Sequence, residues 1–190
     1  MSTTAPEFRV LALSGSLRAD SYNTALLRAA AKLSTGTVRI DLHPGLGELP
    51  LYNQDLEAGG LPAAVRELHQ RVLRADALLI ATPEHNASIP AALKNAIDWM
   101  SRMPDGAEIA GKPTAVVGAS PGPLGSVRAQ LALRQILASV GADVLAKPEV
   151  IVFQAHERFD DAGTLTDDYT ETLLIELTGA LTRRIASRRQ

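Results

Sequence analysis

A turn rich in hydroxyl groups lies near the start of the chain and carries the first residue types able to do chemistry. The apolar run 10–13 ends at Ser14, a helix-compatible segment begins at Thr24, and the residues from Ser14 to Asn23 read S-G-S-L-R-A-D-S-Y-N. Free backbone N–H groups and the positive end of a helix dipole meet at such a turn, which therefore suits a phosphate. Further donors are the side chains of Ser14, Ser16, Arg18, Ser21 and Asn23. The turn predicts a bound phosphorylated small molecule, with ordinary helix capping as the alternative.

Two common nucleotide-binding loops are missing from this turn. The sequence contains neither G-x-G-x-x-G nor G-x-x-x-x-G-K-[ST] there, so neither a dinucleotide loop nor a nucleoside-triphosphate loop is indicated. A mononucleotide phosphate held mainly by hydroxyl groups fits the turn better.

A second loop, T-P-E-H-N-A-S-I-P at 82–90, is held by a proline near each end. A restrained backbone that presents N–H groups and a flat side chain suits a planar heteroaromatic ring, on which His85 would stack while Asn86 hydrogen-bonds the ring edge. The alternative is that His85 is an exposed loop histidine and that Glu84 is a solvated or capping carboxylate. The four histidines of the chain show no metal-ligand spacing, so no metal site is predicted.

A third loop, G-A-S-P-G-P-L-G-S-V-R at 118–128, contains three glycines. Because glycine has no side chain, Gly118, Gly122 and Gly125 predict that a ligand approaches the backbone closely. The alternative is a plain connection between a strand and a helix that Ser126 caps.

The whole chain has the composition of one soluble domain over residues 1–190, with flexible ends at about 1–6 and 187–190. Of its 190 residues, 46% are apolar, and the net charge of −2 argues against nucleic-acid binding and against a strongly acidic electron carrier. The absence of cysteine excludes disulfides and thiolate chemistry. No apolar stretch approaches a membrane span and the first residues lack a signal-peptide core, so we expect no membrane contact and a cytoplasmic protein.

Strand-like runs alternate with helix-period segments, which predicts a parallel sheet with helices on both faces. The predicted strands are 8–13, 38–42, 77–81, 114–119 and a broken fifth made of 144–145 and 150–153. Residues 43–61 are predicted to be a loop between the second strand and a helix that Pro62 opens. Ligands of such sheets bind beyond the carboxyl ends of the strands, where all three loops begin. We therefore expect the three loops to meet.

The loop motifs together resemble a known family. The motif G-S-L-R-x-x-S-x-N at 15–23, P-E-H-N-x-S-x-P followed by L-K-N-A-I-D-W at 83–99, and G-A-S-x-G at 118–122 followed by R-A-Q are similar to the flavin loops of the NADPH-dependent FMN reductase family. That family is flavodoxin-like and includes quinone, chromate and azo-dye reductases. The segment L-P-L-Y-N-Q-D at 49–55 is also similar to it, with no role assigned. The resemblance covers residues 8–155.

The resemblance implies an α/β, flavodoxin-like fold with a five-stranded parallel sheet in the order 2-1-3-4-5. It implies bound FMN, NADPH or NADH as co-substrate, and ping-pong hydride transfer to quinones, azo compounds, metal oxyanions or free flavin. It also suggests a homodimer or homotetramer, with Trp99 and Met100 either at a subunit contact or in the core. Two other hypotheses stay open: a flavodoxin-type electron carrier without nicotinamide activity, and a phosphate-binding regulatory module without flavin.

The resemblance also assigns site residues, and it assigns no catalytic side chain because the flavin carries the chemistry. The phosphate would be held by Ser16, Leu17, Arg18, Ser21 and Asn23. The isoalloxazine ring would be bordered by Pro83, Glu84, His85 and Asn86, and its pyrimidine side closed by Ser120, Pro121 and Gly122. His85 departs from the family's usual tyrosine, and imidazole offers less stacking area and a charge near neutral pH.

Overall fold

The computed structural model describes residues 8–34, 36–102 and 109–189, and its centre is one parallel sheet. The strands are β1 (Phe8–Ser14), β2 (Val38–Leu42), β3 (Ala77–Ala81), β4 (Pro113–Ala119), β5 (Asp143–Val144) and β6 (Val150–Val152). Their order is β2-β1-β3-β4-β5, and β6 also pairs with β4. All these pairings are parallel, which confirms the predicted flavodoxin-like topology.

The fifth strand is broken, as the sequence predicts. Asp143 lies opposite Pro113 at the start of β4, whereas Val150 lies opposite Val117 near its end. The two short strands therefore occupy one edge of β4 in succession.

Helices flank the sheet, and loops connect the strands to the helices that follow them. They are α1 (Tyr22–Leu33), α2 (Gln54–Ala58), α3 (Ala63–Arg74), α4 (Ala91–Met100), α5 (Val127–Ser139) and α6 (Asp168–Arg188). The prediction of an uninterrupted loop over 43–61 is wrong, because it missed α2. This helix has five residues, none of them buried, and is capped by Asn53, whose side chain accepts a hydrogen bond from the Asp55 N–H. A helix with no buried face leaves no apolar periodicity to recognise.

The core has one part on each face of the sheet. Leu26 of α1 and Leu177 of α6 pack on one face, and Leu68 of α3 with Leu133 of α5 pack on the other. Every residue of β3 is buried, as expected for a central strand covered on both sides.

Trp99 and Met100, which were predicted to lie either at a subunit contact or in the core, belong to the core. Trp99 and Met100 are 0% and 1% exposed. Their side chains therefore stabilise the packing of α4 on the sheet.

The ends of the chain are described only in part. Residues 1–7 and Gln190 lie outside the described residues, while Ser187 and Arg188 close α6. Flexible ends and a single domain over residues 1–190 stay predictions. None of the helices in the described ranges is long and apolar enough to cross a membrane.

Candidate functional site

The three loops line one cleft at the carboxyl edge of the sheet, near the point where the winding direction changes between β1 and β3. Because Ser14, Gly118 and Ala119 belong to strands and residues 22–23 and 127–128 belong to helices, we use first loop for 15–21, second loop for 82–90 and third loop for 120–126 from here on. The cleft has a volume of about 510 Å³. It is lined by ten of the predicted site residues: Ser16, Leu17, Arg18, Ser21, Asn23, Pro83, Glu84, His85, Ser120 and Pro121. Asn86 and Gly122 belong to the same loops but do not line the cleft.

Hydrogen bonds fix the first loop against the sheet and α1. The Gly15 N–H donates to the Ala81 carbonyl at 2.8 Å, which joins the ends of β1 and β3. The Ser21 hydroxyl accepts from the Thr24 N–H at 3.4 Å and caps α1, as the capping alternative expects. Ser21 also lines the cleft, so this one residue both caps α1 and forms part of the cleft wall.

Arg18 supplies positive charge on the first loop. Its side chain is exposed and its guanidinium carbon lies 5.8 Å from the centre of the Tyr22 ring. Within the described ranges, no carboxylate lies close enough to Arg18 to form an ion pair. Its charge is therefore available to an anion.

Asn23 is buried and connects the first loop to the end of β4. Its Nδ2 donates to the Ala119 carbonyl at 2.9 Å, and its Oδ1 accepts from the Ala119 N–H at 3.0 Å. Both ends of the amide are therefore hydrogen-bonded to protein backbone. Asn23 therefore forms part of the cleft wall and positions it, and its role as a phosphate donor stays a prediction.

A tight turn forms the tip of the second loop. His85 and Ser88 exchange two backbone hydrogen bonds, of 3.0 and 2.9 Å. Between them, Asn86 and Ala87 have φ values of 50° and 64°, in the left-handed region that favours glycine. This turn restrains the loop in addition to its prolines. It places the exposed His85 at the cleft and Asn86 at the outer tip.

Glu84 points its carboxylate from the second loop towards the start of α5. Its side chain is 9% exposed and accepts a hydrogen bond from Arg128 Nε at 2.6 Å. Burial, the largest single influence, acts to raise the pKa of Glu84. This effect of burial is outweighed by the hydrogen bonds from the Arg128 side chain and from the N–H groups of Arg128 and Ala129, together with the Arg128 charge. The net result is a lowered pKa of Glu84.

The third loop is anchored on β6. The Ser120 N–H donates to the Val152 carbonyl at 2.9 Å, and the Ser120 carbonyl accepts from the Ala155 N–H at 3.0 Å. The Ser120 hydroxyl also accepts from the Gly122 N–H at 3.2 Å. These contacts hold the loop against the edge of the sheet.

Two of the three glycines around the third loop serve protein packing. A Cβ at Gly118 would lie 2.0 Å from Ser126 Oγ, and a Cβ at Gly125 would lie 2.6 Å from the Ile151 side chain. Gly125 also has a φ of 63°. For these two positions the interpretation as space for a ligand is wrong, because neighbouring protein atoms fill that space.

The segment at 49–55, to which the sequence assigns no role, is held by α4. Asn95 Oδ1 accepts from the Tyr52 N–H at 2.8 Å, and Trp99 Nε1 donates to the Pro50 carbonyl at 2.8 Å. The first turn of α4 lines the cleft through Ala91 and Ala92. Asn95 and Trp99 lie four residues apart on an otherwise apolar helix face, and each has a side-chain group able to form hydrogen bonds. This pattern in the sequence could have indicated that the face holds another segment of the chain.

Comparisons with known proteins agree on one family. A family model described as NADPH-dependent FMN reductase matches residues 8–157. An NAD(P)H-dependent FMN reductase of Pseudomonas aeruginosa is 45% identical over 175 residues, which cover 92% of this chain and 94% of that protein. A quinone reductase of Escherichia coli K12 is 39% identical over 178 residues, 93% of each chain. The solved structure of FerB, a flavoenzyme NAD(P)H:(acceptor) oxidoreductase from Paracoccus denitrificans, is 38% identical with a TM-score of 0.85, covering 95% of this chain and 98% of that one.

Proposed function

This chain belongs to the family of NADPH-dependent FMN reductases, and from that premise we propose that its three-loop cleft holds FMN, with the phosphate at the first loop. Membership confirms the resemblance read from the loop motifs. It also confirms the expected oxidoreductase, with FMN and NAD(P)H as its cofactors. The individual contacts of the site residues are part of the proposal.

The phosphate end of the cleft carries the proposal, because its donor set fits a phosphate dianion. The first loop presents the free guanidinium of Arg18 and the hydroxyl of Ser16 beside the amino end of α1. A helix amino end and a charged donor both favour a phosphate. Leu17 and Ser21 complete the loop wall, and Asn23 holds it in place.

The ring end of the cleft lies between the second and third loops. Pro83 and His85 form one wall, and Ser120 and Pro121 form the other. These flat or small side chains leave room for an isoalloxazine ring. Asn86 and Gly122 shape the two turns behind these walls.

FMN, when bound, supplies the hydride chemistry, and the side chains of the cleft supply binding and orientation. The Glu84 carboxylate is engaged by Arg128 and offers no free proton. We propose that a nicotinamide and an acceptor enter the open cleft in turn, which is a ping-pong order. The relatives named quinone reductase support a quinone as acceptor. Azo compounds, metal oxyanions, free flavin, a homodimer or homotetramer and a cytoplasmic location stay predictions.

The test is to mix the purified, FMN-loaded protein with NADPH and 1,4-benzoquinone and to follow the nicotinamide absorbance. With oxygen excluded, we expect continued loss of that absorbance only when protein and quinone are both present, and a loss of no more than one NADPH per bound flavin without quinone. Bound flavin without turnover would favour the electron carrier instead. A protein that binds no added FMN would contradict the proposal. NADH in place of NADPH, at equal concentration, determines the preferred nicotinamide.

A further inference from the structure

Helix α5 begins without a cap of its own. Ser126 occupies the cap position, but its side chain makes no capping hydrogen bond, and the first turn of α5 contains no acidic residue. The Ser126 hydroxyl instead accepts from Gln130 Nε2 at 3.2 Å. The first N–H groups of a helix have no partner within the helix, so the start of α5 needs an acceptor from elsewhere.

Glu84 supplies that acceptor from a different loop. Its Oε2 accepts from the N–H groups of Arg128 at 3.1 Å and Ala129 at 3.4 Å, while its Oε1 accepts from Arg128 Nε. Glu84 lies 44 residues before Arg128 in the sequence. A carboxylate at the amino end of a helix is also favoured by the helix dipole. One side chain therefore caps the helix that follows the third loop from within the second loop.

We propose that Glu84 is a positioning residue: its ionised carboxylate ties the second loop to the start of α5 and so sets the separation of the two walls at the ring end. The inference deepens the proposed function and rests on it, because a change in the separation of the walls would change the affinity of the cleft for FMN. Arg128, whose side chain is 53% exposed, holds the carboxylate from the outer side. Glu84 thus lines the cleft while its charged atoms face the helix.

The pairing explains why a carboxylate is needed at this position. Glutamine at position 84 keeps an oxygen acceptor for the backbone N–H groups but loses the charge that Arg128 and the helix end attract. The groups that face the carboxylate are the Arg128 side chain and the N–H groups of Arg128 and Ala129 on α5, while Arg18 and His85 line the same cleft. Of these hydrogen-bond donors, the Arg128 side chain is the one that carries a charge.

The experiment measures the dissociation constant of FMN by flavin fluorescence for Glu84→Gln, Arg128→Gln and the double variant. We expect each single variant to bind FMN about tenfold more weakly. The double variant should be no weaker than the weaker single variant, because both substitutions remove the same interaction. Glu149→Gln is the matched control, since Glu149 has an ion pair with Lys147 at 2.9 Å, does not line the cleft and should bind FMN like the wild type.

A pH series separates positioning from a general loss of structure. The FMN affinity of the wild type and of Glu149→Gln should fall as the pH drops through the titration of Glu84, whereas Glu84→Gln should lack this step. Unchanged FMN affinity in Glu84→Gln, additive losses in the double variant, or an equal loss in Glu149→Gln would each overturn the inference. If the wild type itself bound no FMN, the proposed function would fail instead, so the two failures are distinguishable.

Discussion

Arginines at the two edges of the sheet have different surroundings. At the amino edge, Arg184 donates two hydrogen bonds to Asp143, both of 2.7 Å, and Arg189 pairs with Asp76 at 2.8 Å. At the carboxyl edge, Arg18 has no such partner within the described residues. The comparison indicates that the same side-chain type stabilises the fold at the amino edge and is left for a ligand at the carboxyl edge.

Arg128 lies between these two cases. It belongs to the carboxyl edge, yet it is paired with Glu84 as closely as Arg184 is paired with Asp143. Arg128, which is paired with a carboxylate, therefore holds the cleft in shape. Arg18, which is not paired, is available to bind an anion in the cleft.

The largest expected effect comes from Arg18→Ala. Removing the unpaired guanidinium should weaken FMN binding by about 30-fold, on the order of 2 kcal/mol, with little change in the melting temperature. Arg189→Ala at the amino edge is the matched control and should leave FMN binding unchanged. Fluorescence titration and thermal unfolding measure both effects. An Arg18→Ala variant with full FMN affinity would remove the distinction between the two edges.

Asn23→Ala should affect folding, although Asn23 lines the cleft. Its amide makes two buried hydrogen bonds to Ala119, and their loss should lower the free energy of unfolding by about 2 kcal/mol in denaturant. Asn53→Ala, which removes the exposed cap of α2, should cost about 1 kcal/mol or less. Equal stability of Asn23→Ala and the wild type would show that the amide does not position the loop.

Asp143→Asn tests the amino edge through its pH dependence. The hydrogen bond from Arg184 lowers the pKa of Asp143; burial opposes this, and the charges of Arg184 and Arg188 add to it. A carboxyl group with a lowered folded-state pKa stabilises the fold above its unfolded pKa, and this contribution is lost as the pH falls through the folded pKa. The variant should be about 1 kcal/mol less stable at neutral pH, allowing for solvent screening of the exposed Arg184. The difference should vanish in acid, and FMN binding should not change.

The smallest expected effect is that of His85→Tyr. A phenol ring offers more stacking area than imidazole, so FMN binding should tighten about threefold, or roughly 0.7 kcal/mol. Fluorescence titrations of the wild type and the variant with FMN measure the two affinities. Weaker binding of FMN by the tyrosine variant would contradict a stacking role.

The family resemblance of the loop motifs was sufficient to predict the sheet order. The meeting of the three loops could be predicted from the residues themselves, because apolar runs mark the strands and parallel strands end at one edge. It was not sufficient to predict where side chains point. Asn23, Glu84 and Gly118 are recognisable as motif positions, but their partners Ala119, Arg128 and Ser126 are distant in the sequence or lie across a turn. The helix α2 was missed because none of its residues is buried, so its sequence has no apolar pattern to indicate a helix.

The most direct test of the account compares FMN with riboflavin, which lacks the phosphate, in fluorescence titrations of the wild-type protein. We expect saturable quenching of FMN with one flavin bound per chain, and riboflavin bound about tenfold or more weakly. Equal affinity for the two flavins, or no binding of FMN, would contradict a cleft that holds FMN by its phosphate.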